Sequence, residues 1–171
     1  MPLIGWSPFF TTTASSAAAL TGLMFVVITL VRDVDRAGND DGIGGFSTPT
    51  VIHFTLALLV SAVLCAPWPR SLLPGVIVAL VGVGGIAAVA RATWRTRRLQ
   101  NYRADMEDFL WYTVAPLIAY CIMLVAALRF IAMAQDAPFE VAGSVLFLIF
   151  IGIRNAWDVV TFLASGKADA P

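Results

Sequence analysis

The sequence predicts an all-α, polytopic membrane helix bundle of five transmembrane helices. Three observations predict it. Of the 171 residues, 59% are hydrophobic and only 13% charged, whereas soluble domains carry about a quarter charged residues. Apolar runs recur along the whole chain, at or near the roughly 20 helical residues that cross a hydrocarbon core about 30 Å thick. The segments between them are short and carry Pro, Gly and Asp. So little lies outside the runs that residues 1–171 read as one membrane domain.

The first span covers 9–31. The stretch before it, "MPLIGWSP", lacks the basic n-region of a cleaved signal peptide. Inside the span, Ala14, Ala18 and Gly22 recur every four residues, the spacing that lets helices approach closely. Thr11, Ser15, Ala18, Gly22 and Thr29 fall on one helical stripe of hydroxyls and small side chains. Such a face suits tight packing against a neighbour, or the wall of a narrow, weakly polar pore around an oligomer axis. The following loop, "DVDRAGNDDGIGG", starts like a calcium loop with Asp33, Asp35, Gly38, Asn39 and Asp41. It fails at Ala37 and at Gly44, where a bidentate Glu is required, and is read as a flexible, solvated loop.

The second span, 49–66, is the shortest. His53 opens it and is the only histidine; a neutral imidazole at the cytoplasmic interface is expected, with protonation as a pH sensor the alternative. "APWPRSLLPG" then makes a tight hairpin. The third span, 72–94, holds Gly75, Gly82, Gly84 and Gly85. Its "GVGGIA" matches the dinucleotide fingerprint, but no strand precedes it and no acid follows at the required distance. Close helix packing explains the glycines instead. "RATWRTRRLQNYRADMED" joins the third and fourth spans. Its Arg91, Arg95, Arg97, Arg98 and Arg103 suit anionic membrane lipid headgroups, with Trp94, Leu99 and Tyr102 at the interface. Around a pore they would ring its inner mouth and favour anions. In the fourth span, 109–133, Pro116 is expected to bend the helix and free a carbonyl. "AQDAP" leads to the last span, 139–164.

Orientation follows from the arginines. One side of a five-span chain receives Arg70 and Arg129; the other receives Arg32, Arg36, Arg91, Arg95, Arg97, Arg98, Arg103 and Lys167. The positive-inside rule makes the second side cytoplasmic, giving N-terminus out and C-terminus in. An odd number of spans leaves no inverted repeat across the whole chain, which argues against the commonest transporter designs.

The last span poses the functional question, because Arg154, Asn155 and Asp158 lie within it. An ionised group in the bilayer costs several kcal/mol (about 2.5–3.5 on insertion scales), so partners are required. Helical side chains lean toward the helix N-terminus, which points Arg154 away from the cytoplasmic headgroups and against snorkelling. The fourth span begins just after Asp105, Glu107 and Asp108, and antiparallel packing would bring this acidic knot toward the depth of Arg154 and Asp158. The sequence therefore predicts a buried polar cluster of Arg154, Asn155, Asp158, Asp108 and Glu107. Structural glue, a part in permeation or gating, and a snorkelling anchor are its possible roles.

The remaining residues exclude more than they suggest. Formal charge is zero, so nothing calls for nucleic acid. Cys65 and Cys121 lie in apolar runs without a CxxC pair and read as packing residues. One histidine cannot make a bis-histidine haem, and no other set has metal-ligand spacing. No nucleophile–base pair or paired intramembrane carboxylates stand out. The chain is expected not to be an enzyme and to need no cofactor.

"SSAAALTGLMFVVITL" in the first span and "GIRNAWDVVTFL" in the last resemble a group of small bacterial integral membrane proteins, a likeness that implies the bacterial inner membrane and lends no activity. The first span is also similar to the pore helix of Orai calcium channels, with small and hydroxyl residues ahead of a Val-rich half. It lacks an acid where those channels place their selectivity carboxylate, so the likeness implies a pore-lining helix and not calcium selectivity. Small-residue faces and buried charges both call for neighbours that a homo-oligomer supplies. The expected function is a homo-oligomeric channel or pore for ions or small solutes, its axis lined by the first helix. The alternative is a non-conducting subunit that binds and stabilises a second membrane protein.

Overall fold

A computed structural model describes residues 3–35, 43–98 and 106–166, with side chains placed for 3–29, 49–94, 106–107 and 109–161. Among the described residues the structure is all-α: α1 (Ser7–Asp35), α2 (Ile43–Cys65), α3 (Leu72–Arg98), α4 (Met106–Phe109), a π-helical turn (Leu110–Val114), α5 (Ala115–Ile131) and α6 (Ala137–Gly166). α4, the π-turn and α5 follow one another without a break.

Four segments are long and apolar enough to cross a membrane: Ser7–Thr29, Leu72–Trp94, Leu110–Ile131 and Ala137–Thr161. The shortest of these, 22 residues, rises about 33 Å at 1.5 Å per residue. The fifth apolar helix, Pro49–Cys65, is shorter. α2 itself begins at Ile43, so Gly44 and Gly45, read as loop from the sequence, lie within its first turn. Pro49 is tolerated inside it. The residues that carry the centre of the calcium-loop pattern, 36–42, lie outside the described residues.

α2, α3, α5 and α6 close a ring in which each packs on two others, and α1 lies outside it, mainly against α2 and more lightly against α6. The core between them is built from Phe54, Ala57 and Val60 of α2, Met123, Ala126 and Phe130 of α5, and Val141, Val145 and Leu148 of α6. Large apolar side chains also cover the outside: Leu80 and Val83 on α3, Ile122 and Val125 on α5, Phe150 and Ile153 on α6. On a water-soluble protein a surface of this kind would drive association.

Glycines set how closely α3 and α5 approach. A Cβ at Gly75 would strike Ile131 at 2.5 Å, one at Gly82 would sit 3.2 Å from the Leu124 backbone, and one at Gly85 would overlap the Tyr120 ring. These three line one face of α3, while Gly84 has nothing within 4 Å. On the other side of the bundle, Gly152 of α6 receives the Phe54 ring of α2.

One end of the bundle gathers the start of α1 and the α2–α3 and α5–α6 turns. Trp6 meets Phe139 edge-on at 4.6 Å, Trp68 Nε1 donates to the Val63 carbonyl at 2.6 Å, and Ser71 Oγ donates to Met133 Sδ at 2.7 Å. Arg129 pairs there with Asp136 at 2.6 Å and with Glu140. The Asp136 carboxyl is held below its usual range by its own backbone N–H and by Arg129.

Candidate functional site

At the opposite end, the cluster around Arg154 is organised by a proline. The N–H of Ala115 bonds the Leu110 carbonyl, five residues back. The next nitrogen in that pattern belongs to Pro116 and has no hydrogen, so the Trp111 carbonyl receives nothing from the helix. Asn155 Nδ2 of α6 donates to this carbonyl at 3.5 Å, and the Tyr112 hydroxyl donates to the Asn155 carbonyl at 3.3 Å. The sequence expectation that Pro116 frees a carbonyl therefore acquires an address. The freed group is Trp111 O, and the amide that meets it is Asn155, which is wholly buried. An amide inside a membrane span is accounted for, because an unpaired carbonyl in hydrocarbon is costly.

One residue earlier on α6, Arg154 turns to the rim of the same contact. Its guanidinium donates to Glu107 at 2.5 Å and forms an ion pair with Asp158 one turn along its own helix. It also lies 5.8 Å from the Trp111 ring centroid, within cation–π range. Arg154 is 26% exposed at its side chain and Glu107 65%, so the pair straddles the edge of the bundle. Asp108 stands in α4 beside Glu107, but its side chain lies outside the described residues. Four contacts thus run from residues 107–112 to Arg154 and Asn155, fastening the start of the fourth span to the last.

His53 is not where the sequence placed it. Instead of an interfacial imidazole it is a core residue, 2% exposed, with Nδ1 2.9 Å from the Tyr120 hydroxyl. Tyr120 is itself fully buried and sits in the notch that Gly85 leaves. The physical reason is that His53 stands about three turns into α2, on the helix face that also buries Thr50, Ala57 and Val60. Among the described residues, His53 Nε2 and Asn155 Oδ1 are buried without a hydrogen-bond partner. The pairing of His53 with Tyr120 was not legible in the sequence, since neither residue has a polar neighbour at helical spacing that points to the other. Tyr112 and Trp111 carried a signal, four and five residues before a mid-span proline.

The stripe assigned to the first helix lies on its free face. Thr11, Ser15, Ala18, Gly22 and Thr29 are all exposed, while Phe10, Thr13, Ala17 and Met24 turn inward. Thr13 donates to Ser61 of α2 at 2.9 Å in the interior, and Thr11 lies 3.5 Å from Cys65 Sγ. Thr29 bonds its own preceding turn through the Val26 carbonyl. A Cβ on Gly22 would meet nothing within 4 Å among the described residues. The basic stretch leaves the bundle at the Arg154 end: Arg91 is exposed, with Nε 3.3 Å from the Ala87 carbonyl. Arg95, Arg97 and Arg98 continue α3 with side chains outside the described residues, and Arg103 lies outside them altogether.

Among the described residues no group of three or more His, Cys, Asp and Glu is placed to hold a metal ion. No protein-family model matches the chain, and no curated protein or solved structure matches it.

Proposed function

We propose that the chain is a homo-oligomeric membrane channel or pore for ions or small solutes, with α1 at the symmetry axis. In this reading all five apolar helices cross, with the N-terminus outside and the C-terminus inside a bacterial inner membrane. One observation carries it. The outward faces of α3, α5 and α6 bear Leu, Ile, Val and Phe, which lipid covers well, whereas the first half of α1 turns Thr11, Ser15, Ala18 and Gly22 outward. Hydroxyls gain nothing from lipid tails, and small residues leave grooves that chain-like lipids fill poorly. A closed cyclic assembly removes that face from lipid by placing it around an axis. There the hydroxyls give a weakly polar wall, and Arg91 with the arginines that follow it rings the inner mouth, favouring anions.

The test is ion flux from liposomes holding the purified full chain. Flux is expected, sharply reduced by Ser15→Phe and Gly22→Phe and little changed by Val83→Phe on the lipid-facing side of α3. Flux indifferent to both α1 replacements removes α1 from the axis. A second reading, a non-conducting subunit that stabilises another membrane protein, is favoured by the open groove over Gly22 with Ala18 beside it. A stable monomer without flux that co-purifies with one specific membrane protein selects it.

A further inference from the structure

We infer that the start of the fourth span is a two-register element, a π-helical form held down by α6 and an α-helical form released from it. Proline removes the donor that the Tyr112 carbonyl would take in an α register and the one that the Trp111 carbonyl takes in a π register. Both registers therefore forfeit a bond to the same missing N–H. A π-turn elsewhere in a helix competes with a complete α ladder; at Pro116 it competes with one already broken.

Contacts from α6 decide between the two. Asn155 Nδ2 takes the Trp111 carbonyl at 3.5 Å, and Tyr112 reaches the Asn155 carbonyl at 3.3 Å, both of which hold the π form. The hold is incomplete, because Asn155 Oδ1 is buried with no partner among the described residues and a half-satisfied polar contact in low dielectric stabilises weakly. Leaving is cheap as well. Glu107 is mostly exposed, so it is solvated when it separates, and Arg154 keeps Asp158 on its own helix. Converting five π residues to α removes the extra residue of the turn, rotating everything before it by about 100° and sliding it by about 1.5 Å. Glu107 and the Trp111 ring would leave Arg154 together, a discrete switch of the kind that packed helices support. Should the chain conduct, this end lies beside the basic inner mouth; that link alone rests on the proposed function, and the switch does not.

The experiment measures a distance and no flux, so it stands apart from the channel reading. Spin labels are placed at Met106→Cys and Leu80→Cys, two exposed sites on α4 and α3, with Cys65 and Cys121 replaced by Ala. Labelled full-length chain is diluted with unlabelled chain in liposomes so that only distances within one chain are read. The parent should show one dominant distance. Asn155→Leu, which removes the donor to Trp111, should raise a second distance at least tenfold in population. Pro116→Ala gives the Tyr112 carbonyl its α donor, whereas the Trp111 carbonyl already has Asn155 in the π register, so it favours the α form and should produce the same second distance. If Asn155→Leu does not fold, Pro116→Ala decides alone, since it takes no partner from α6. A single unchanged distance in folded Pro116→Ala overturns the inference.

Discussion

Gly84 and Gly85 are adjacent on α3, and replacing each by alanine should have opposite consequences. A methyl on Gly85 overlaps the Tyr120 ring, with Cγ only 2.6 Å away, while a methyl on Gly84 meets nothing within 4 Å. The ring has little freedom to yield. It is fully buried and its hydroxyl is tied to His53 Nδ1 at 2.9 Å. Forcing one carbon into such a site costs about 1–3 kcal/mol, and dragging the hydroxyl from His53 adds about 1 kcal/mol. Gly85→Ala should therefore lose about 3 kcal/mol, on the order of a hundredfold in the folded-to-unfolded ratio. Gly84→Ala should stay within about 0.5 kcal/mol of the parent. The assay is reversible unfolding in mixed micelles by titration with a denaturing detergent, followed by tryptophan fluorescence. Combining Gly85→Ala with Tyr120→Leu should cost less than the two losses added, because the clash vanishes with the ring. Equal losses for Gly84→Ala and Gly85→Ala, or strict additivity in the pair, would refute the packing of α3 on α5 described above.

Two further outcomes are expected in the same assay. Tyr120→Phe keeps the ring and leaves His53 with neither nitrogen paired, which should cost about 1–3 kcal/mol; adding His53→Leu should recover part of it, since removing both partners is milder than stranding one. Arg154→Leu takes the base from both Glu107 and Asp158 and should cost about 1–2 kcal/mol, discounted from a fully buried pair for the solvent at the rim. Glu107→Gln should cost under about 1 kcal/mol, as exposed ion pairs do. A Glu107→Gln loss matching that of Arg154→Leu would mean that the guanidinium depends on Glu107 alone.

Legibility in the sequence followed the range of each interaction. Pro116 announced its role because backbone chemistry acts within a few residues: a missing N–H frees a carbonyl one turn back wherever the helix lies. The glycines of the third span announced close packing as a group, which holds for Gly75, Gly82 and Gly85 and not for Gly84. Arg154 and Asp158 share one helix, and their four-residue spacing put them within reach before any packing was known. His53 was misplaced because its environment is supplied by α5, and no local pattern marks Tyr120 as its partner. Asn155 could be flagged as costly in a membrane, but the carbonyl that it meets is fixed only when α6 lies against the π-turn.

By itself, then, the sequence determined the class of the molecule: apolar runs of spanning length, a small-residue first helix, a basic loop, and one polar knot that hydrocarbon would not tolerate unpaired. Length and transfer free energy are sums over local residues, and so they can be read without a fold. Tertiary structure alone decided which of two adjacent glycines is filled, that the lone histidine is interior, and that the hydroxyl stripe of α1 is left bare. Each of these depends on which faces meet. Helices in a membrane choose their faces by close packing and by pairing of stranded polar groups, and both are settled between helices, not within them.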